Sequence, residues 1–372
     1  VTITPKSLPH YEMQDYGLSP KLTAAISRTA LEGISKGAYR GCQVVVMKQG
    51  KMLVNQAFGT TAGVGSDTLT TDHIFDLASL TKTTATLLAV MKLYDEGRLN
   101  LNDRVGDLLP WLKATDKRDI TIRQLLLHES GLPSTILFYQ EAIDKESYKG
   151  TLFKGQRDRL HPVQIGSKTW ANPSFHFLDS LTSRVPTGRH TLQVADSLWI
   201  DASFKAEYRR LIADAKLLSK SSRYSCVGFI LLQQVVEALS GEALDRYVAR
   251  HFYEPMGLTH TGYLPLRWAE KEQIVPSNED KFLRKQVLQG FVHDESAAFQ
   301  GGVSGNAGLF STAAEVAQVY QMLLDGGLYK GKRYLSPSTC RLFTTTTSKI
   351  SRRGLGFDKP NRQNPTQGPC AG

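Results

Sequence analysis

The sequence predicts an α/β protein, α+β in arrangement, with an antiparallel sheet flanked by helices and a mostly helical region beside it. Residues Pro20 to about Lys36 place Leu22, Ile26, Ala30 and Ile34 on one helical face. Two β-like runs follow, Gly41 to Lys48 and Lys51 to Phe58, joined by the hairpin signal Gln49-Gly50. A helix that feeds a hairpin places that helix on the face of a sheet. Beyond about residue 99, helical periodicity with cap signals dominates.

The elements follow in order. Gly59 to Asp72 reads as a Gly/Thr/Ser loop that delivers the chain to Ser79. Ser79 and Lys82 form an S-x-x-K pair at the start of a predicted helix with apolar Leu87, Leu88, Met91 and Tyr94 and a stop at Gly97. Residues three apart share a helix face, so hydroxyl and amine can meet. A serine needs a nearby base to attack a carbonyl, and a lysine can be that base. The free N–H groups at a helix start favour a developing oxyanion. The spacing alone is weak evidence: S-x-x-K arises by chance about once in a chain this long, as a capping serine and a surface lysine.

Thr121 reads as a helix N-cap and Gly131-Leu132-Pro133 as that helix's end, with His128 a helix-end cap and not a base. Asp103 and Asp107 read as capping or solvated carboxylates. Residues 134 to about 220 read as a part-helical insertion, either roofing a cleft or elaborating the periphery. Helices are predicted over Ile230 to Leu239 and around Leu244, Tyr247 and Val248, then a charged loop over 265–290. His293-Asp294-Glu295 are adjacent and do not fit H-E-x-x-H, so a structural hydrogen-bonding role is expected. In Gly301-Gly302-Val303-Ser304-Gly305-Asn306-Ala307-Gly308, Asn306 suits a tight left-handed turn, and no G-K-[ST] follows to make a phosphate loop. Thr312 caps Ala313 to Leu324, and a short helix is expected near Pro337 to Phe343. Gly33-Ile34-Ser35-Lys36-Gly37 has the letters of a G-x-S-x-G elbow, but the order is helix then strand, the reverse of what that motif requires.

Composition narrows the classes. Lys+Arg 45 against Asp+Glu 35 gives +10, yet the basic residues are scattered, so no nucleic-acid partner is expected. With four cysteines (Cys42, Cys226, Cys340, Cys370) and no C-x-x-C pair, neither a disulfide scaffold nor a structural zinc site is expected. Cys42 and Cys226 read as buried thiols, and Cys340 and Cys370 are free to pair or not. No stretch of 18 apolar residues occurs, so no membrane span is expected. The start at Val1 reads as a mature or excised segment.

The order of motifs resembles the serine β-lactamase and penicillin-binding-protein superfamily, in its class C-like branch. The stretches that carry it are FDLASLTKT around Ser79 and Lys82, EGRLNLNDRVGDLLP, LLLHESGLP at 125–133, YSC at 224–226 and GGVSGNAGLFST at 301–312. YSCVGF, VHDESAAFQGG and RRGLGFDKP resemble more particularly a Bacteroidetes domain often fused behind a family 3 glycoside hydrolase. The resemblance implies a single β-lactamase/transpeptidase-like domain over 1–372. Its sheet region would lie at about 1–98 and 301–372, and its helical region at about 99–300 with the insertion 134–220. It implies Ser79 as acylated nucleophile, Lys82 in its proton network, and Tyr224 as the Y-x-N tyrosine, the general base. It implies Cys226 and Asn306 in substrate binding, no metal or cofactor, and a periplasmic or secreted location. Its partners would be a small-molecule or peptide substrate and a fused glycoside hydrolase domain.

Two departures qualify it. Cys226 stands where the family usually has Asn, and a thiol is a weaker donor to a substrate carbonyl. The third motif, Lys- or His-Thr-Gly on a late strand, is not found in the right context before Gly372, so C-terminal strands and one oxyanion-hole donor are expected to be lacking. The implied reaction is acyl transfer to water through a Ser79 acyl-enzyme, on an ester, a β-lactam or a D-amino-acid peptide. The alternative is a catalytically impaired or non-catalytic domain that binds cell-wall fragments or supports a partner domain.

Overall fold

In the computed structural model, which describes residues 11–63 and 65–360, the predicted helix and hairpin form as expected. Helix α1 (Leu22–Ser35) packs on strands β1 (Gly41–Lys48) and β2 (Lys51–Gly59). The strands pair antiparallel with Gly41 opposite Gly59 and a bulge between Val46 and Met47. Gln49 (φ 51°) and Gly50 (φ 75°) are both left-handed, as the tightest hairpin turn requires. Val54 is the one buried residue of the hairpin, and among the described residues no third strand joins it.

A second sheet lies beside the Ser79 stretch. Strand β3 (Phe75–Asp76) leads into that stretch and helix α2 (Leu87–Asp95) follows it. Helix α3 (Cys226–Ser240) packs against α2, and Leu87, Leu88, Val90, Met91, Val227, Phe229, Ile230 and Leu231 are all at 0% exposure. This apolar packing holds the two helices together by area removed from water. Strands β4 (Gly262–Tyr263) and β5 (Leu309–Ser311) complete the sheet in the order β4-β5-β3, with Phe310 opposite Asp76. Helix α4 (Ala313–Leu324), capped by Thr312 through Glu315 N–H, packs on β1. Helix α5 (Pro337–Thr344) lies against α2.

Several expectations need correcting. The S-x-x-K stretch is not one regular helix: Ala78–Leu80 is a 3-10 turn and Lys82–Thr86 a π-helical turn before α2 begins. Helix α3 begins at Cys226, earlier than its apolar periodicity indicates, because Ser225 caps it through Gly228 N–H. The insertion's regular structure is mostly strand. Phe153–Lys154, Val163–Gly166 and Thr169–Ala171 form one small sheet, Thr182–Ser183, His190–Ala195 and Leu198–Asp201 another, and only Lys205–Asp214 is an α-helix. The 265–290 stretch contains a hairpin, Asn278–Asp280 with Gln286–Leu288. Cys340 is a buried free thiol, Cys42 and Cys226 are only half-buried, and Cys370 lies outside the described residues. No single helix among the described residues is long and apolar enough to cross a membrane.

Candidate active site

Ser79 is held by the strand that ends beside it. Leu77 N–H donates to the Leu309 carbonyl at 2.9 Å, and Leu309 N–H donates to Thr81 Oγ1 at 3.0 Å. The chain between these anchors must turn sharply, and Ala78 takes the left-handed conformation (φ 47°) to do it. Asp76 steadies the turn by accepting from Ala78 N–H and from His293 N–H, each at 2.8 Å. Burial pushes the Asp76 carboxyl above its usual range against the pull of those two N–H donors. A non-glycine residue at positive φ is costly, so its presence beside Ser79 marks a position that the surroundings enforce.

Lys82 is 3% exposed, while Ser79 is open to solvent. Its Nζ lies 3.0 Å from Ser79 Oγ, 3.0 Å from the Asn306 carbonyl oxygen and 3.5 Å from Cys226 Sγ. A carbonyl oxygen can only accept, so one N–H is committed to Asn306. A neutral amine then has a lone pair for the Ser79 proton, and an ammonium has a donor for a Ser79 alkoxide. The π turn over Lys82–Thr86 is tied down by Thr86 Oγ1 donating to the Gly305 carbonyl at 2.7 Å and Tyr253 hydroxyl donating to the Thr84 carbonyl at 2.6 Å. Such turns recur where a helix has to re-aim a side chain.

Asn306 does not play the part expected of it. It is 1% exposed, is not at positive φ, and its side chain is committed inward. Its amide donates to Asp294 Oδ1 at 3.1 Å and its Oδ1 accepts from Ser304 Oγ at 2.7 Å. What it presents to the site is its backbone carbonyl. Gly305 lets this segment approach α3, because a Cβ there would overlap the Phe229 carbonyl oxygen. Asp294 also caps the short helix Glu295–Ala298, and His293 Nε2 lies 3.1 Å from the Asn278 amide, so these residues do the structural bonding expected of them.

Tyr224 is half-exposed, and its ring lies under Lys82, with Nζ 4.8 Å from the ring centroid. His128, itself left-handed (φ 56°), holds the Tyr224 segment in place. Its carbonyl accepts from Arg223 N–H at 2.9 Å, and its Nδ1 accepts from Ser225 N–H at 3.0 Å, which leaves the ring proton on Nε2. The His128 ring lies 4.8 Å from that of Tyr224 and 5.3 Å from that of Phe229. Burial first, then the charges of Arg353 and Lys82, push His128 down to about 3, so it is neutral at physiological pH. Arg353 completes the surroundings, its guanidinium 5.8 Å from the Tyr224 centroid. The segment that carries Arg353 is anchored by Gly356 N–H donating to the Leu126 carbonyl at 3.1 Å.

Ser79, Lys82, Tyr224, Cys226 and Asn306 are therefore brought together. Sequence reading missed His128 as the residue that positions Tyr224, and missed Arg353. The signal for His128 was its place just before Gly131-Leu132-Pro133, where a helix end calls for a left-handed residue. Arg353 offered none, since the doublet Arg352-Arg353 looks like surface charge, and Arg352 is that, paired with Asp358 at 2.7 Å.

The family model described as Beta-lactamase matches residues 26–363. An Escherichia coli (strain K12) protein provisionally named a D-alanyl-D-alanine carboxypeptidase is 27% identical over 344 residues, covering 86% of this chain and 68% of its own length. A Bacillus subtilis (strain 168) protein named N-acetylmuramyl-L-alanine amidase is 28% identical over 344 residues, covering 86% of this chain and 67% of its own. Among solved structures, the octameric penicillin-binding protein homologue from Pyrococcus abyssi superposes with a TM-score of 0.60 at 17% identity. That match covers 90% of this chain and 64% of the Pyrococcus chain, so this chain spans about two thirds of the length of each of these three proteins.

Proposed function

Since the chain belongs to the beta-lactamase family, we propose that it hydrolyses an acyl ester or amide through a covalent Ser79 intermediate. Ser79 Oγ attacks the carbonyl carbon as its proton passes to Lys82 Nζ. The tetrahedral oxyanion is held by the Ser79 backbone N–H in the opening turn. As it collapses, the bond to the leaving group breaks and the proton on Lys82 passes to that group. Water then attacks the acyl-Ser79 carbonyl, its proton goes to the same network, and the acid and free Ser79 are released. The observation that carries this reading is the 3.0 Å approach of Lys82 Nζ to Ser79 Oγ, with Asn306 holding the amine from the other side.

Tyr224 serves in this reading as the second member of the proton network, its ring against Lys82. In this reading Lys82 is the first proton acceptor, supported by its contact with Ser79 Oγ, whereas the family pattern gives that place to the tyrosine. The names of the relatives point to D-alanyl and muramyl substrates, and with them to a periplasmic or secreted location. Cys226 favours esters within that range, because a thiol helps little in holding a peptide carbonyl.

The experiment is to measure turnover of a p-nitrophenyl ester, of a chromogenic cephalosporin and of a D-alanyl-D-alanine peptide by the wild type and by Ser79→Ala. Turnover of any one that falls by about a thousandfold or more in the variant supports the reading. No turnover of all three by folded wild type, or an undiminished rate in the variant, sinks it.

A further inference from the structure

A cavity of about 860 Å³ lies away from the Ser79 site, against the far half of α3. Its size falls in the range of roughly 300–1,000 Å³ typical of small-molecule sites. Ser79, Lys82, Tyr224 and Cys226 do not line it. Gln233 and Glu237, which do, sit about two or three helical turns along α3 from Cys226, a separation of roughly 10–16 Å. The insertion supplies one wall and the stretches at 264–267 and 290–292 supply another.

The lining has two characters. Leu192, Trp199, Leu264 and Phe291 make it apolar within. Lys205, Arg209 and Arg267 line it too and are all exposed, and Lys205 and Arg209 act on Glu237 only through space, without a close ion pair among the described residues. Arg209 lies over Trp111, 5.9 Å from the ring. Two carboxyls also line the cavity. Glu237 accepts from Leu244 N–H at 2.9 Å, and burial raises its carboxyl above the usual range while Lys205 and Arg209 draw it back down. Asp245 is the other, and the balance remains positive.

The backbone beside the cavity is strained. Leu264 is left-handed (φ 52°), a strained conformation for leucine, and a Cβ at Gly302 would press on its Cδ2 at 2.7 Å.

We propose that this cavity is a second, non-catalytic binding site for an amphipathic carboxylate, its acyl or aryl body against Trp199, Leu192 and Phe291 and its charge among Arg209, Arg267 and Lys205. The site does not depend on Ser79 chemistry, so it stands or falls apart from the function proposed above.

The test uses decanoate, with decanol as the uncharged control, titrated into the full chain carrying Ser79→Ala and followed by calorimetry. Saturable binding of decanoate is expected, with decanol at least about tenfold weaker, as a hydrogen-bonded ion pair implies. Arg209→Ala with Arg267→Ala should weaken decanoate about tenfold or more and leave decanol unchanged. Ala206→Trp, which fills the cavity from its wall, should abolish both. If decanoate does not saturate, if it binds the double variant as well as the parent, or if Ala206→Trp binds it unchanged while its circular dichroism matches the parent, the proposal is overturned.

Discussion

Lys82 Nζ donates to the carbonyl oxygen of Asn306 at 3.0 Å across a sequence separation of 224 residues, and this bond fixes where the amine meets Ser79. It joins the π turn that precedes α2 to the glycine-rich segment before β5. Replacing Lys82 by Met keeps the length of the side chain and removes every polar contact at its tip. Ester turnover should fall by about a hundred- to ten-thousandfold, the range for losing a positioned acid–base group. The Asn306 carbonyl would be left buried and unpaired, so stability should also fall by about 1–3 kcal/mol. Steady-state kinetics and urea denaturation of the same preparation check both.

Gly305→Ala tests how tightly that segment must lie against α3. The new methyl would overlap the Phe229 carbonyl, a backbone atom that cannot swing away. We expect a loss of about 1–3 kcal/mol or more, the usual cost of overpacking a rigid site. Turnover should fall with it, because Asn306 is the next residue. An alanine variant with wild-type urea midpoint and turnover would show that the segment is looser than its packing indicates.

His128 gives a pH dependence with a definite sign. Its ordinary value of 6.5 in the unfolded chain drops to about 3 in the fold. Between these values the unfolded chain binds a proton that the folded one refuses. The native state therefore loses stability as pH falls from 6.5 towards 3, by up to about 1.4 kcal/mol per unit, and is not penalised above 6.5. His128→Asn keeps an acceptor for Ser225 N–H and tolerates positive φ. Its acid limb should be flatter than that of the wild type over this window, as read from urea midpoints at stepped pH. Parallel acid limbs in the two proteins would remove His128 from the account.

Cys226 is the test of selectivity. Its Sγ lies 3.5 Å from Lys82 Nζ at the first turn of α3. Cys226→Asn puts a strong donor where a weak one stands, so the ratio of amide to ester kcat/KM should rise by about tenfold. An unchanged ratio would mean that this side chain does not reach the scissile group.

Local signals were legible in the sequence where a single short stretch contains the whole cause. Gln49-Gly50 set the hairpin turn, and Thr121 caps its helix in a box with Gln124, as its position suggests. The pairing of Ser79 with Lys82 needs only one turn of chain. What stayed hidden depends on distant partners. Strands of two or three residues such as Phe75–Asp76 and Leu309–Ser311 are too short to carry a period, and only their mutual pairing makes them strands. The π turn at Lys82–Thr86 depends on Gly305 and Tyr253, far along the chain. Asn306 was noticed for its side chain, but the structure turns that side chain inward and uses the carbonyl, an atom every residue has. Nothing in its letter could have shown that.

The most direct test of the central claim is the intact mass of the protein after exposure to a fluorophosphonate, and separately to a penicillin, with Ser79→Ala alongside. The account predicts a single covalent adduct with at least one of the two reagents, present in the wild type and absent from the variant. A folded wild type that takes up neither reagent, or a variant labelled as fully as the wild type, would contradict it.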